Sequence, residues 1–447
     1  MPWTTGQRGL LRENVARCFD GVPRGYLCTS SYYSAQTGTN RMTIPSIVLR
    51  TTKEKALQKG YPWVFANQVD RRLSEPAERG AVVRLQSASG HVFGLGLYHD
   101  KSLIAVRFLT NVADTVIGPD FFRRRLESSI AMRSAAFPDA THARLVFGES
   151  DGLPGTVIDR YGPPGYRGGV LTWTCLSYGM EQHRDAILEI LVDLLAPDAI
   201  VERNDASLRS KDGLEEKVGV IYGVEPGPIV IEEGGVKFSV DVLNGPKTGF
   251  FIDQRLNRLA VRNHARGRAV LDVFSADGGF GLHAAYAGAA SVHMVDSSQD
   301  ALDRAMANAR ANDLSERVTT EAADALDRLG EMATAGAPYD FIILDPPSFA
   351  SSRRHVEAAS RAYQRLNISA LQVLPAGGLL ATASCSQAID EAAFLQIVRY
   401  SARRAGARLR LLHRGTQPAD HPVLDTMPDT SYLKFYLFQK LGDELPA

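Results

Sequence analysis

Net charge, paired cysteines and membrane-length apolar runs are what this 447-residue sequence lacks. Lys and Arg number 50 and so do Asp and Glu, so any polyanion partner has to be argued from how the charge is distributed. The four cysteines, Cys18, Cys28, Cys175 and Cys385, are widely spread, with no C-x-x-C and no nearby His pair. That spacing argues against a disulfide framework and against a zinc site, so no metal is expected and a reducing cytoplasm fits. The longest apolar segment, Ala186 to Ala196, is interrupted by Glu189 and Asp193 at helical spacing. It reads as an amphipathic surface helix rather than a membrane span.

What the chain does have is enough apolar character, 45% of residues, to build two or three cores. Its charge is also asymmetric. Residues 1–110 carry 15 basic and 7 acidic side chains, a net +8 offset by −8 in the remainder. A polyanion is therefore expected to meet the N-terminal part.

Residues 1–43 are rich in Ser, Thr, Gly, Tyr and Arg without apolar periodicity and read as a disordered N-terminal extension. An organellar leader and an over-long gene model are the alternatives, the first weakened by Glu13, Asp20 and Pro23. Residues 44–111 show short strands and glycine turns that suggest a small β-barrel. There Lys53, Lys55, Lys59, Arg71 and Arg72 interleave with Tyr61, Trp63 and Phe65, a pattern suited to phosphate charge and base stacking. The plainer reading is aromatic core with a solvated basic rim.

Residues 112–243 read as an α+β domain, in which Asp151, Asp159 and Arg160 are expected as turn and edge residues. Residues 244–447 alternate strand and helix. Strands are expected at Val270–Phe274, Val292–Asp296, Val318–Asp324, Phe341–Asp345, Leu379–Ser384, Leu409–His413 and Tyr432–Gln439. The fold class is thus α/β, a Rossmann-like seven-stranded sheet preceded by the barrel and the α+β domain.

Chemistry gathers at the strand ends. The stretch A-V-L-D-V-F-S-A-D-G-G-F-G from Ala269 is strand, glycine turn, helix, and glycines there let backbone N–H groups approach a nucleotide-like ligand. Its G-G-x-G spacing is not the dinucleotide fingerprint G-x-G-x-x-G, and a structural βα turn is the bland alternative. Asp296 ends the second strand, where a carboxylate can accept both ribose hydroxyls, and Asp324 ends the third, near an adenine edge. Each also reads as a helix cap. The fourth strand ends in D-P-P-S-F, where Pro346 and Pro347 fix a turn and Phe349 is placed to stack on a base. The fifth ends in S-C-S-Q, which sets Cys385 beside Asp345, although a buried structural cysteine is the default for an isolated one.

These motifs, with K-T-G-F-F-I-D-Q-R-L-N-R from Lys247 and Q-P-A-D-H-P-V from Gln417, resemble class I S-adenosylmethionine-dependent methyltransferases. The particular likeness is to the bacterial large-subunit ribosomal RNA cytosine-5 methyltransferases with an N-terminal PUA domain. The resemblance implies an RNA-binding module at 44–111, a methyltransferase domain at 244–447, S-adenosylmethionine as donor, ribosomal RNA as partner and, in some arrangements, a homodimer. It further implies that Gln254 and Arg255 help hold the donor, and that Asp272, Phe274, Gly278 and Gly279 shape its methionine pocket. Asp296 would take the ribose, Asp324 the adenine end, Asp345 the target base, and Cys385 would be the nucleophile. Lys53, Lys55, Trp63, Pro346, Pro347 and Phe349 are then the expected RNA contacts.

Two departures stand out. Relatives usually carry F-x-Y-T-G-G-F, so Asp277 replaces a neutral hydroxyl, and they tend to have a His shortly after the cysteine where this chain has Gln387. Asp277 would either repel the donor's carboxylate or pair with its ammonium. Methylation of a guanine nitrogen or amino group, and a non-catalytic RNA-binding or ribosome-assembly role, are the rival functions.

Overall fold

Alternation of apolar and polar residues in short runs builds the first sheet. The computed structural model describes residues 44–350 and 353–442, and the extension expected at 1–43 lies outside the described residues. Strands β1 (Ser46–Leu49), β2 (Trp63–Phe65), β3 (Val82–Ser87), β4 (Val92–Tyr98) and β5 (Ile104–Thr110) form a sheet in the order β1-β3-β4-β5-β2. Ile47, Leu49, Val83, Leu85 and Val106 fill its concave side. No ladder joins β1 to β2. Beyond β2, however, Asp70 N–H donates to Val48 O (2.8 Å) and Arg50 N–H to Gln68 O (2.9 Å), so the sheet curls almost closed.

Strands β6 (His142–Phe147), β7 (Thr156–Tyr161), β8 (Val170–Cys175), β9 (Ala199–Asn204) and β10 (Lys217–Gly223) form a second sheet, ordered β10-β9-β8-β7-β6. Only β8 and β9 run parallel, and the crossover they require contains the helix Arg184–Leu195. That helix buries Ile187, Ile190, Leu191 and Leu195 and exposes Glu189 and Asp193, as the spacing predicts. Asp159 and Arg160 are not edge residues: β7 lies between β6 and β8, and both side chains are buried.

The hairpin β11 (Ile229–Glu233) and β12 (Val236–Val240) precedes residue 244 but packs with the C-terminal strands and helices. Ile231, Val236, Phe238 and Val240 share a core with Val270, Leu282 and Ala305. Ser239 N–H donates to Asn308 Oδ1 (2.9 Å) on the helix Gln299–Ala311, and Lys237 N–H to Asn312 Oδ1 (2.8 Å) just beyond it.

Strands β13 (Ala269–Val273), β14 (Ser291–Asp296), β15 (Val318–Ala322), β16 (Phe341–Leu344), β17 (Leu379–Ser384), β18 (Arg408–Gly415) and β19 (Lys434–Leu441) form the seven-stranded sheet. Its order is β15-β14-β13-β16-β17-β19-β18, parallel except for β19, which is antiparallel to both neighbours. All seven expected strands are present. The order reverses between β13 and β16, which opens a crevice at their carboxyl ends. The described residues from Pro45 onward pack as one unit. Among the described residues no helix is long and apolar enough to cross a membrane.

Candidate active site

The glycine turn after β13 is held in a conformation that few sequences tolerate. Phe274 (φ 65°), Ala276 (φ 46°) and Gly278 (φ 84°) all lie in the left-handed region, and two of the three are not glycine. Hydrogen bonds over-determine the turn: Phe274 and Ser275 N–H both reach Val295 O (2.9 and 3.3 Å), and Ala276 N–H reaches Asp296 Oδ2 (3.0 Å). Asp296 Oδ1 accepts from Ser298 N–H (3.0 Å), so the second strand's acid braces the first strand's turn. Gly281 N–H donates to Asp272 Oδ2 (2.7 Å), and a Cβ at 281 would sit 2.9 Å from that oxygen and 2.5 Å from Met294 Cε. Gly279 backs onto Arg258, whose Cδ would lie 3.2 Å from a Cβ there.

Asp272 is 1% exposed, and its Oδ1 has no hydrogen-bond partner among the described residues. Burial pushes its carboxyl up to about 7, against the Gly281 hydrogen bond and with the help of Asp345 and Asp296. An orphaned, buried carboxylate oxygen beside a left-handed turn is a ready acceptor for a cationic group. Asp324 is an exposed helix cap, accepting from Leu326 and Asp327 N–H (2.9 and 3.1 Å), at the edge of the same crevice.

Asp277 does not hang free in this turn. Arg304 donates to its Oδ1 from Nε (2.9 Å), and Asn308 Nδ2 holds its carbonyl (3.2 Å). Burial pushes the Asp277 carboxyl above the ordinary aspartate range, and the Arg304 guanidinium pulls it back.

Gln254 and Arg255 turn different ways. Gln254 Nε2 donates to Asp345 Oδ1 (2.8 Å), with its own oxygen held by Asn257 Nδ2 (2.6 Å). Arg255 instead stacks over Phe137 (4.5 Å), donates to the His142 carbonyl and lies 3.6 and 3.7 Å from Asp420 and Glu233. It belongs to a buried seam between the second and third sheets, as does Arg144, which holds Asp159 through two bonds (2.8 and 2.9 Å). Glu233 takes Arg258 Nε and Nη2 (2.6 and 2.7 Å) and Nε2 of His142 and His283 (3.1 Å each).

On the target side Asp345 directly follows β16, and burial, with Asp253 adding to it, pushes its carboxyl up to about 7. Ser384 and Ser386 are fully buried, so the extended backbone turns Cys385 the opposite way, where it is partly exposed. The Ser386 hydroxyl lies 3.1 Å from both Ser348 Oγ and Tyr363 Oη, which pins the D-P-P-S-F turn to the cysteine loop. Phe349 meets Tyr363 (4.9 Å between ring centres) and Phe274 (6.4 Å), while Pro346 is buried and Pro347 exposed. Burial and Asp345 push the Cys385 thiol up to about 11, against Lys247 and Lys434.

Sequence reasoning passed over four residues here. Asp253 accepts from Tyr432 Oη (2.6 Å) and faces Lys247 (3.4 Å), and Lys434 is buried beside the cysteine loop. Lys247 and Asp253 lie inside the K-T-G-F-F-I-D-Q motif, which was a usable signal. Lys434 lies in an apolar strand, where a lone lysine was the only hint. Gln417 accounts for its own motif, since it braces the 417–433 segment through Tyr432 N–H (3.1 Å) and Thr430 O (2.6 Å).

In the first module Lys53 and Lys55 are exposed, as a phosphate contact requires. Trp63 is committed elsewhere: its Nε1 donates to Glu149 (2.7 Å), Arg107 lies 5.5 Å over its ring, and Tyr61 and Phe65 pack beside it. Tyr61 Oη in turn donates to Asp429 (3.1 Å), whose carbonyl is reached by Gln387 Nε2 (3.4 Å). The aromatic group therefore joins the first module to both others.

Comparison with known proteins agrees with this layout. Residues 222–439 match the model of an S-adenosylmethionine-dependent methyltransferase family, and residues 47–111 match a PUA-like domain. The chain is 39% identical over 393 residues to a Photobacterium profundum protein named ribosomal RNA large subunit methyltransferase I, covering 87% of this chain and 98% of that one. The protein of the same name from Shewanella frigidimarina is 38% identical, covering 87% and 97%. Among solved structures, a Streptococcus mutans protein described as a SAM-dependent methyltransferase superposes with a TM-score of 0.74 at 22% identity, covering 88% of this chain and 99% of that one. A structure described as a methyltransferase complexed with SAH gives 0.75 at 22% identity, with the same coverage.

Proposed function

This chain belongs to the ribosomal RNA large subunit methyltransferase I family, and from that premise we propose that it methylates carbon 5 of a cytosine in large-subunit ribosomal RNA through Cys385. The observation that carries this reading is the strand-end edge itself. Cys385 emerges from between two buried serines on a loop pinned to the D-P-P turn, while Asp345 is hydrogen-bonded to Gln254 and Asp272 keeps an unpaired oxygen.

The residues present suit S-adenosylmethionine, a cation at sulfur and at its amino group. Asp272 offers an unpartnered buried oxygen, Gly278 takes the left-handed conformation the turn needs, Asp296 ends the second strand and Asp324 caps the helix after the third. When bound, the donor supplies an electrophilic methyl group. The protein's own part is to make carbon 5 nucleophilic. The Cys385 thiolate adds to carbon 6 of the ring, and electron density moves to carbon 5. Asp345, titrating near 7, can present a protonated oxygen to the ring nitrogen and so favour that addition. After transfer the carbon 5 proton leaves and the carbon–sulfur bond breaks, with its electron pair returning to sulfur.

The module at 44–111 would guide RNA, with the exposed Lys53 and Lys55 on phosphates, and the second sheet would scaffold it against the catalytic domain, which takes in the hairpin Ile229–Val240. Trp63 would act indirectly, through the joint it makes with Glu149. The same reading places the protein in the cytoplasm, and sedimentation of the full chain would show whether it works as a homodimer.

Replacing Cys385 with Ala tests the core of the proposal. Methyl transfer to unmodified ribosomal RNA should fall by roughly 10⁴-fold, about 5 kcal/mol of barrier, with donor binding retained. Undiminished turnover, or a product nucleoside methylated on a guanine nitrogen or an amino group, would overturn it. Failure of the unaltered chain to bind donor would favour a non-catalytic RNA-binding role.

A further inference from the structure

Strand β18 ends the seven-stranded sheet, pairs only with β19 among the described residues and carries Arg408, Arg410 and Arg414. The helix Glu391–Arg404 comes just before it and adds Arg399, Arg403 and Arg404. All six arginines are exposed. Among the described residues, the one carboxylate within ion-pair distance of any of them is Glu391, on Arg414, and Arg410 reaches the neutral Gln439 Oε1 (3.3 Å). Five guanidinium groups are thus left without an anion along one edge of the sheet, in a chain whose formal charge is zero. Asp443 and Glu444, which follow β19 in the sequence, are too few to neutralise them.

Structural roles account for part of this cluster. Arg403 and Arg404 lie in the last turn of their helix, where cations suit the macrodipole, and Arg408 and Arg410 guard an open strand edge against pairing. Neither role covers Arg399, a turn earlier, and neither explains why Tyr400, Leu411 and Leu412 are left exposed among the arginines. Cations interleaved with apolar and aromatic groups suit a polyanion that also presents sugar and base faces. A second copy of the chain fits poorly, since antiparallel edge-to-edge pairing about Leu411 would set Arg408 opposite Arg414.

The strand register ties this edge to the crevice. Gly415 pairs with Phe435 and Phe435 with Ala383, so the end of β18 lies two strand spacings, about 10 Å, from the end of β17, which Cys385 follows. Arg408, opposite Leu441, lies about 20 Å further down the same edge. The helix Glu391–Arg404 packs on the Tyr436 and Phe438 side of β19, while Arg410 shares the side of Gln439, so the two groups of arginines flank the strand. An extended anion leaving the crevice past β19 therefore meets Arg414 first and the unpaired arginines next.

We propose that this outer edge is a second docking surface for ribosomal RNA, on which Arg399, Arg403, Arg408 and Arg410 neutralise phosphates next to the segment that enters the crevice. The inference deepens the ribosomal RNA reading above and rests on it. It adds a basic surface on the catalytic sheet to the one that the charge count places in the N-terminal part.

The test reads phosphate contacts by their salt dependence. Binding of the full chain to unmodified large-subunit ribosomal RNA is measured between about 50 and 200 mM salt, and methyl transfer to the same RNA is followed in parallel. In the variant combining Arg399→Gln, Arg403→Gln, Arg408→Gln and Arg410→Gln, the slope of log K against log salt should flatten by about 3, at roughly 0.7–0.9 per lost contact. Its KM for the RNA should rise roughly tenfold, with most of the loss in kcat/KM falling on KM. The four Arg→Lys changes should keep the slope. Arg361→Gln with Arg365→Gln, exposed arginines already paired with Glu357 and Asp327, should change neither quantity. Should the fourfold variant lose its fold, Arg410→Gln alone should still flatten the slope by about 1. An unchanged slope and KM would overturn the inference, as would equal losses in the Arg361 and Arg365 control, or a dimer of the RNA-free chain that the edge variant takes apart in sedimentation. Failure of the unaltered chain to bind or methylate ribosomal RNA would instead defeat the reading above, so the two failures are distinguishable.

Discussion

Two sets of carboxylates in one chain are held in opposite ways. At the seam between the second and third sheets, Glu233 is saturated by Arg258, His142 and His283, and Asp159 by Arg144 and Thr248. Burial alone would raise the Glu233 carboxyl, but Arg258, by charge and by hydrogen bond, and the side chains of His142 and His283 hold it well below the ordinary range. At the strand-end edge, the side chains of Asp272 and Asp345 each accept one hydrogen bond and meet no cation among the described residues, and both are pushed up to about 7. The seam spends its charges on joining modules. The edge leaves its charges unsatisfied, and unsatisfied buried charge is what a ligand can complete.

The sharpest way to break this contrast is Glu233→Gln. Removing the anion leaves Arg258 buried without compensation, and the chain should lose about 4 kcal/mol of stability, read from the denaturant midpoint. Because the folded-state carboxyl titrates below its unfolded value, this stabilisation is present above the unfolded pKa and fades as pH falls below about 4. A loss under about 1 kcal/mol would place the seam with weak surface pairs.

Asp272→Asn should act in the other direction. The folded carboxyl titrates above its unfolded value, so its contribution to stability is full below about pH 4 and is lost as pH rises through about 7. The Asn variant should therefore gain roughly 2 kcal/mol at about pH 8, show no gain at about pH 4, and bind the methyl donor more weakly in calorimetry. Equal stability change at both pH values would remove Asp272 from the strained set.

Asp277 tests the border between the two sets, since it lies in the glycine turn after β13 but is paired like a seam residue. Arg304 is 39% exposed and can be solvated alone, so Asp277→Thr should cost under about 1 kcal/mol and leave donor affinity within about twofold. A tenfold loss of affinity would put the carboxylate in the donor cradle despite Arg304.

Most strands of the third sheet were legible because they are apolar runs ended by a turn signal, and such patterns are local. The acids near their ends were legible for the same reason, since the turn that follows a strand is located once the strand is. Partner choice was not. Asp277 was expected to face the donor and instead meets Arg304 on the next helix. Asp159 was expected at an edge and lies in mid-sheet under Arg144 and Thr248. Arg255 follows Gln254 directly, yet one faces the seam and the other the crevice. Trp63 was expected to contact RNA, with aromatic core as the plainer reading, and it and Tyr61 instead have their polar ends taken by Glu149 and Asp429 at the joints between modules.

By itself, then, the sequence determined the order of strands and helices, the glycine turn, the acids and the cysteine at the strand ends, and with them the family. These depend on periodicity and on turn chemistry over a few residues. Only the tertiary structure decided which charges are spent and which remain available, because those contacts join Glu233 to His142, Gln254 to Asp345, and Lys434 to the cysteine loop across long stretches of chain. A carboxylate or an ammonium carries the same letter in either role, and its energy is set by the partners and the solvent that folding brings to it or takes away.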